Sequence, residues 1–187
     1  MNDAERAIAQ TRAWVELAVV GLTLCPFAKA PFQHDLIRYV LCDSADPQAV
    51  LNALTDEMDR LVRTDPAVVE TTLLILPNAP ADFRAFNDFL EIADAALETA
   101  GHVGVLQIAS FHPQYRFAGT RSRDLGNATN RSPHPVLHLL REASVDRAVA
   151  AIPDPATVYE ANLRTLRALG SKGWAELQAR VEERAAG

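Results

Sequence analysis

Two side-chain types in this chain can carry covalent or proton-transfer chemistry near neutral pH, a thiol and an imidazole, and they lie far apart in sequence. Cys25 sits in Leu24-Cys25-Pro26-Phe27-Ala28-Lys29. The thiolate is the reactive form, and it gains population beside a cation or a helix N-terminus. Lys29 is near in sequence, and an arginine from a later loop can also supply that charge. Cys25-Pro26-Phe27 looks like the first half of a glutaredoxin-type motif, but Ala28 stands where the second cysteine belongs, which weakens a dithiol redox reading. A Cys-Pro pair can also ligate haem iron through its thiolate. The alternative is a buried cysteine acting as a small hydrophobe. Cys42, in or at the end of a strand-like run, reads as inert core.

His112 precedes Pro113 and follows the strand-like run Val103 to Ala109. Beyond the carboxyl end of a strand in an open α/β sheet is where ligands bind, and an imidazole there can act as acid, base or metal ligand. The alternative is a histidine bonded to the backbone that holds its own loop. His138, between Leu137 and Leu139, reads as structural. His134 and His138 share an i, i+4 spacing, but Pro135 replaces any HExxH-type glutamate between them, so no metal site is expected.

Positive charge is concentrated after His112. Up to Arg141 the chain carries Arg116, Arg121, Arg123, Arg131 and Arg141 against the single acid Asp124, although its net charge is −6. Guanidinium groups pair bidentately with carboxylate or phosphate oxygens. A substrate-binding cluster of Arg116, Asp124, Asn127, Asn130 and Arg131 is therefore expected, with Arg116 and Arg131 as anion clamps. Arginines on a solvated face and asparagines that merely fold the loop are the competing reading. GxxxxGK[ST], GxGxxG and GxSxG are all absent, so the common nucleotide loops and the serine-hydrolase elbow have no support.

Four ordered segments carry a resemblance: Leu24 to Lys29, Gln107 to Pro113, Asn127 to Pro133, and Leu137 to Glu142. Together they resemble an uncharacterised family of short bacterial proteins, domain of unknown function 1415, across most of the chain. The resemblance implies a bacterial, cytosolic protein and supplies no activity, substrate or cofactor. One departure is His134, where the family pattern implies an aromatic residue such as Tyr; this counts against His134 as a required ligand.

The elements that must position these residues can be read from period and punctuation. With 187 residues, 49% of them hydrophobic, one core and a single domain over 1–187 are expected. No apolar run reaches the roughly 18 residues of a membrane span, and two cysteines in dissimilar contexts suit a reducing cytoplasm. The acidic balance argues against nucleic acid as a partner. Ile8, Val15, Ala18, Val19 and Leu22 predict a helix from about Asp3 to Leu22. Strands follow at Leu36 to Leu41, Thr71 to Leu76 and Val103 to Ala109. Between them lie helices opened by Asp46-Pro47 and built on Phe83 to Leu97, the latter ended by Gly101.

Ser110 to Asn130 shows no period, and loops beyond ~12–15 residues are uncommon unless they function, are disordered or conceal a hairpin. Phe111, Tyr115 and Phe117 can anchor it, and Arg116 to Thr120 can form a short strand. A helix is expected from Ser132-Pro133 or Pro135 through Val145 to Pro153. Another is expected after Asp154-Pro155 to Gly170, then a last one capped by Ser171, with Glu182 to Gly187 frayed. The fold expected is α/β: a layered sheet of three to four strands, mainly parallel or mixed, flanked by about six helices.

This arrangement tests the chemistry. Cys25 precedes the first strand and His112 follows the third, so in a parallel sheet they start from opposite ends. They meet only if the third strand is antiparallel to the first, or if the segment from Cys25 to Asp35 runs along the sheet, reaching up to ~30 Å. The preferred expectation is an enzyme acting on a small anionic substrate, with His112 as acid or base and Cys25 as nucleophile. The alternatives are a non-catalytic module binding an acidic ligand, and a metal- or haem-binding protein. No cofactor is identified.

Overall fold

A computed structural model describes residues 1–79, 82–152, 154 and 156–187, with Ala156 described in its backbone only. The expected roles of Pro153 and Pro155 lie outside the described residues. The elements are α1 (Asp3–Trp14), continued by a π-helical turn (Val15–Val20), α2 (Lys29–Gln33), β1 (Ile37–Leu41), α3 (Pro47–Arg63) and β2 (Thr71–Ile75). They continue with α4 (Phe83–Thr99), β3 (Leu106–Phe111), a 3-10 turn (Leu125–Asn130), β4 (Val136–Arg141), α5 (Glu142–Ala150) and α6 (Ala156–Ala186).

The sheet is mixed, with strand order β1-β2-β4-β3. β1 runs parallel to β2, and β4 is antiparallel to both β2 and β3. β1, β2 and β3 therefore share one direction, and β4 is inserted against it. Side chains alternate across the sheet and build two cores. Leu74, Leu76, Leu106, Leu137 and Leu139 meet Leu54, Met58 and Phe86 of α3 and α4. Leu73, Ile75 and Val136, with Phe111 against them, meet Trp14, Val19, Leu166 and Trp174 from the other layer. Each fully buried large side chain contributes about 1.5–3 kcal/mol through area removed from water. Arg38 of β1 ties α3 to the sheet by donating to both carboxylate oxygens of buried Glu57, at 2.7 and 3.0 Å.

Local chemistry explains the element ends. Asp46 accepts from the Ala49 N–H ahead of Pro47 at the first helical position of α3, as expected. Gly101 follows α4 at φ 74°, the left-handed conformation that a residue with a Cβ adopts at a cost. A further left-handed glycine, Gly104, delays the third strand to Leu106, so Val103 lies in the turn. Gly170, at φ 68° and ψ 174°, breaks α6 where a helix end is expected.

Four expectations are corrected. Val136 to Arg141 is the central strand β4, and helix begins only at Glu142. This strand is flanked by neighbours on both edges and covered on both faces, so it is mostly apolar, with Val136, Leu137, Leu139 and Leu140 around His138, and a short apolar run has no period to separate strand from helix. No strand forms between Arg116 and Thr120. The long first helix is α-helical only to Trp14 before its π turn. The tail expected to fray is helical to Ala186, with Val181 and Ala185 buried and Arg184 paired with Glu16 at 3.2 Å.

Candidate functional site

The long loop is ordered because two side chains beneath it collect its backbone groups. Asn127 is fully buried. Its Oδ1 accepts from the Phe117 N–H at 3.0 Å and the Thr120 hydroxyl at 2.9 Å, and its Nδ2 donates to the Arg121 carbonyl at 2.9 Å. All three of these bonds go to the loop. Arg131 likewise donates through Nε to the Tyr115 carbonyl and through Nη2 to the Ser122 carbonyl, and partial burial pushes its guanidinium pKa below the ordinary value. Asp124 is exposed and accepts from the Arg121 N–H at 2.7 Å. Asn130 donates to the Ser110 carbonyl at 3.3 Å, and its own carbonyl accepts from the His112 N–H.

The five arginines divide by role. Arg131 and Arg141 are internal fasteners; Arg141 reaches the carbonyls of Leu61, Thr64 and Val69, at and beyond the C-terminus of α3. Arg116, Arg121 and Arg123 are exposed, and their guanidinium groups have no partner among the described residues.

His112 follows β3 as expected, but it is 1% exposed and its ring lies 5.5 and 5.1 Å from those of Phe83 and Phe86. Its Nδ1 accepts from the Gln114 N–H at 3.0 Å, which requires that nitrogen unprotonated. In this arrangement the imidazole folds the start of the loop on the α4 side of the sheet. His138 faces the opposite layer from β4. Thr71 donates its one hydroxyl proton to the Leu139 carbonyl at 2.6 Å, so the 2.7 Å contact with His138 is donation from Nε2–H to the threonine oxygen. Burial drives the His138 pKa down to about 4, and the ring is neutral at pH 7.

Cys25 and the end of β3 do come together. Leu24 to Asp35 runs back along the sheet, α2 included, so Cys25 shares a hollow of about 370 Å³ with Phe111, Phe117, Thr129 and Asn130. Val158, Tyr159 and Asn162 from the first half of α6 complete it. Sequence reasoning missed these three residues; Asn162 is the only polar hint, and it donates to the Leu24 carbonyl at 2.8 Å. Burial pushes the Cys25 thiol pKa up, while the N–H groups of Phe27 and Ala28 pull it down. The strain at Thr23, φ 55°, immediately precedes this turn.

The expected site is thus divided. Cys25 and Asn130 line the hollow, with Arg116 beside its wall residue Phe117; Asp124, Asn127 and Arg131 hold the loop; His112 faces the opposite side of the sheet. His134 bonds to Gln10 at 2.7 Å, and among the described residues no group of three or more His, Cys, Asp or Glu converges as a metal cage. No helix among the described residues is long and apolar enough to cross a membrane.

Comparison with curated proteins and with solved structures found no match. A family model described as protein of unknown function (DUF1415) matches residues 6–176. A match over that much of the chain, taking in the Cys25 turn, the loop and the first half of α6, means that this protein belongs to the DUF1415 family.

Proposed function

We propose that this chain binds a small, mostly apolar molecule carrying an acidic group, in the hollow between the Cys25 turn, the end of β3 and the first half of α6. The observation that carries the reading is the hollow itself: about 370 Å³, the size of a small-molecule site, with an apolar body and a few polar groups. Phe111, Phe117, Leu24 and Val158 supply the apolar walls, and Cys25, Thr129, Asn130 and Asn162 the polar points. Arg116 brings unpaired positive charge next to Phe117. The setting that fits is a bacterial cytoplasm.

This is the binding alternative rather than the Cys25–His112 enzyme, because the nucleophile and its base belong to opposite layers. One feature supports thiol chemistry as a second reading: the neighbouring backbone N–H groups of Phe27 and Ala28 pull the Cys25 thiol pKa down against the effect of burial, which favours a thiolate.

The test is a panel of small aromatic and aliphatic carboxylic acids assayed by thermal shift and by protection of Cys25 from alkylation, with Cys25 and Cys42 distinguished by peptide mapping. A true ligand raises the melting temperature, shields Cys25 and binds less tightly to Arg116→Ala, with little change in Cys25→Ser. If Cys25 is readily alkylated yet no acid protects it or stabilises the fold, the reading fails.

A further inference from the structure

The two halves of α6, joined at Gly170, are attached to the molecule unequally. After the joint, Trp174, Leu177, Val181 and Ala185 recur at helical spacing and are all buried. Side chains fasten the same half to α1 and its π-helical turn: Glu182 accepts from Gln10 at 2.6 Å, and Arg184 pairs with Glu16 at 3.2 Å. Before the joint, only Leu166 is fully buried between residues 157 and 169, and Tyr159 is 57% exposed. The ion pair of this half, Arg164 with Glu160, lies within its own helix. Among the described residues, its side chains reach a distant part of the chain through one hydrogen bond, from Asn162 to the Leu24 carbonyl. Leu163 rests on bare backbone, since a Cβ built at Gly126 of the 3-10 turn would lie 2.8 Å from its Cδ2.

The joint suits a hinge. Gly170 has φ 68° and ψ 174°, a conformation essentially confined to glycine, and a Cβ built there meets no atom within 4 Å. Nothing braces the angle between the halves at that point. The preceding helix, α5, buries none of its residues, so it offers little resistance to a movement of the segment that follows it.

We propose that residues 157–169 form a lid, which turns about Gly170 as a rigid helix and opens the Cys25 hollow for entry and release of its ligand. Val158, Tyr159 and Asn162 all belong to this half and complete the hollow, so its displacement removes one wall. Leu166, four residues from the hinge, moves least; Val158 and Tyr159 move most. Opening gives up the Asn162 bond and the seat of Leu163, and the four buried side chains of the second half stay in place. The role as a gate rests on the reading of the hollow as a ligand site; the movement itself does not.

Cys25 and Cys42 pack in opposite layers, so their alkylation rates in the unliganded full-length protein separate lid opening from global unfolding. Gly170→Ala introduces no clash but disfavours the break, and the pull toward a continuous helix falls on the weakly held half. The expected result is alkylation of Cys25 about tenfold faster, with the Cys42 rate unchanged and amide exchange from Leu163 to Arg167 no faster than before. Asn162→Ala releases the fastening without touching the hinge and gives the same pattern, several-fold; it decides the matter if Gly170→Ala does not fold. No acceleration of Cys25 in either variant overturns the proposal. So does equal acceleration of Cys42, or amide exchange that rises together with Cys25, which is melting of the helix and not movement of a lid. No ligand enters these measurements, so failure of the acid panel strikes the binding reading alone, and failure here strikes the lid alone.

Discussion

Cys25 and His112 stand on opposite faces of one sheet: the thiol belongs to the layer of Trp14, Val19 and Leu166, and the imidazole to that of Phe83 and Phe86. Because the two groups are separated, Cys25 reactivity should not depend on His112. The alkylation rate of Cys25 is expected to titrate above the ordinary cysteine range, since burial raises its pKa, and to keep the same pH profile in His112→Gln. A profile that moves with His112 would restore the catalytic pair.

His138 makes stability depend on pH. Its folded pKa, about 4, lies below the ordinary 6.5, so between these values the unfolded chain binds more protons than the folded one. Stability is fully present above about pH 6.5, falls as pH drops toward about 4, and levels off below that. The contribution is on the order of 3 kcal/mol. Denaturant unfolding across this range measures it. His138→Gln, which retains a donor for Thr71, should flatten the slope.

Asn127→Ala removes three hydrogen bonds and leaves the Phe117 N–H and the Arg121 carbonyl without their partner. The expected loss is about 3 kcal/mol, with faster amide exchange at Phe117. Arg123→Ala on the same loop should leave stability within about 0.5 kcal/mol, because that guanidinium is exposed and holds nothing. Equal effects from the two variants would contradict this division between fastener and surface charge.

Gly21 ends the π-helical turn, and a Cβ built there meets the Leu17 carbonyl oxygen. Gly21→Ala must displace the backbone just ahead of the Cys25 turn. A cost of about 1–3 kcal/mol is expected, read as a lower unfolding midpoint, together with faster alkylation of Cys25 as its turn loosens.

Period and punctuation made much of the fold legible. The 3.6-residue spacing of Val50, Leu54, Met58 and Leu61 marked α3, and the β-branched run at Thr71 marked β2. Gly101 and Gly170 stand at helix breaks because left-handed backbone favours a residue without a Cβ. β4 was not legible. Its Leu-rich run satisfies helix and buried strand equally, and only pairing with β2 and β3 decides between them. The candidate site was half legible: the 112–130 loop is conspicuous for lacking any period, but Asn127 and Arg131 have the same residue types whether they hold a ligand or their own loop.

The amino-acid sequence by itself determined the class of fold, most element boundaries and the segments holding uncommitted polar residues, because these follow from interactions within a few positions along the chain. The tertiary structure alone decided that Cys25 shares a hollow with Asn130 and Asn162, and that His112 is turned to the opposite layer. Those relationships arise from the antiparallel insertion of β4 and the return of Leu24 to Asp35 along the sheet, and pairings between distant segments leave no local signature.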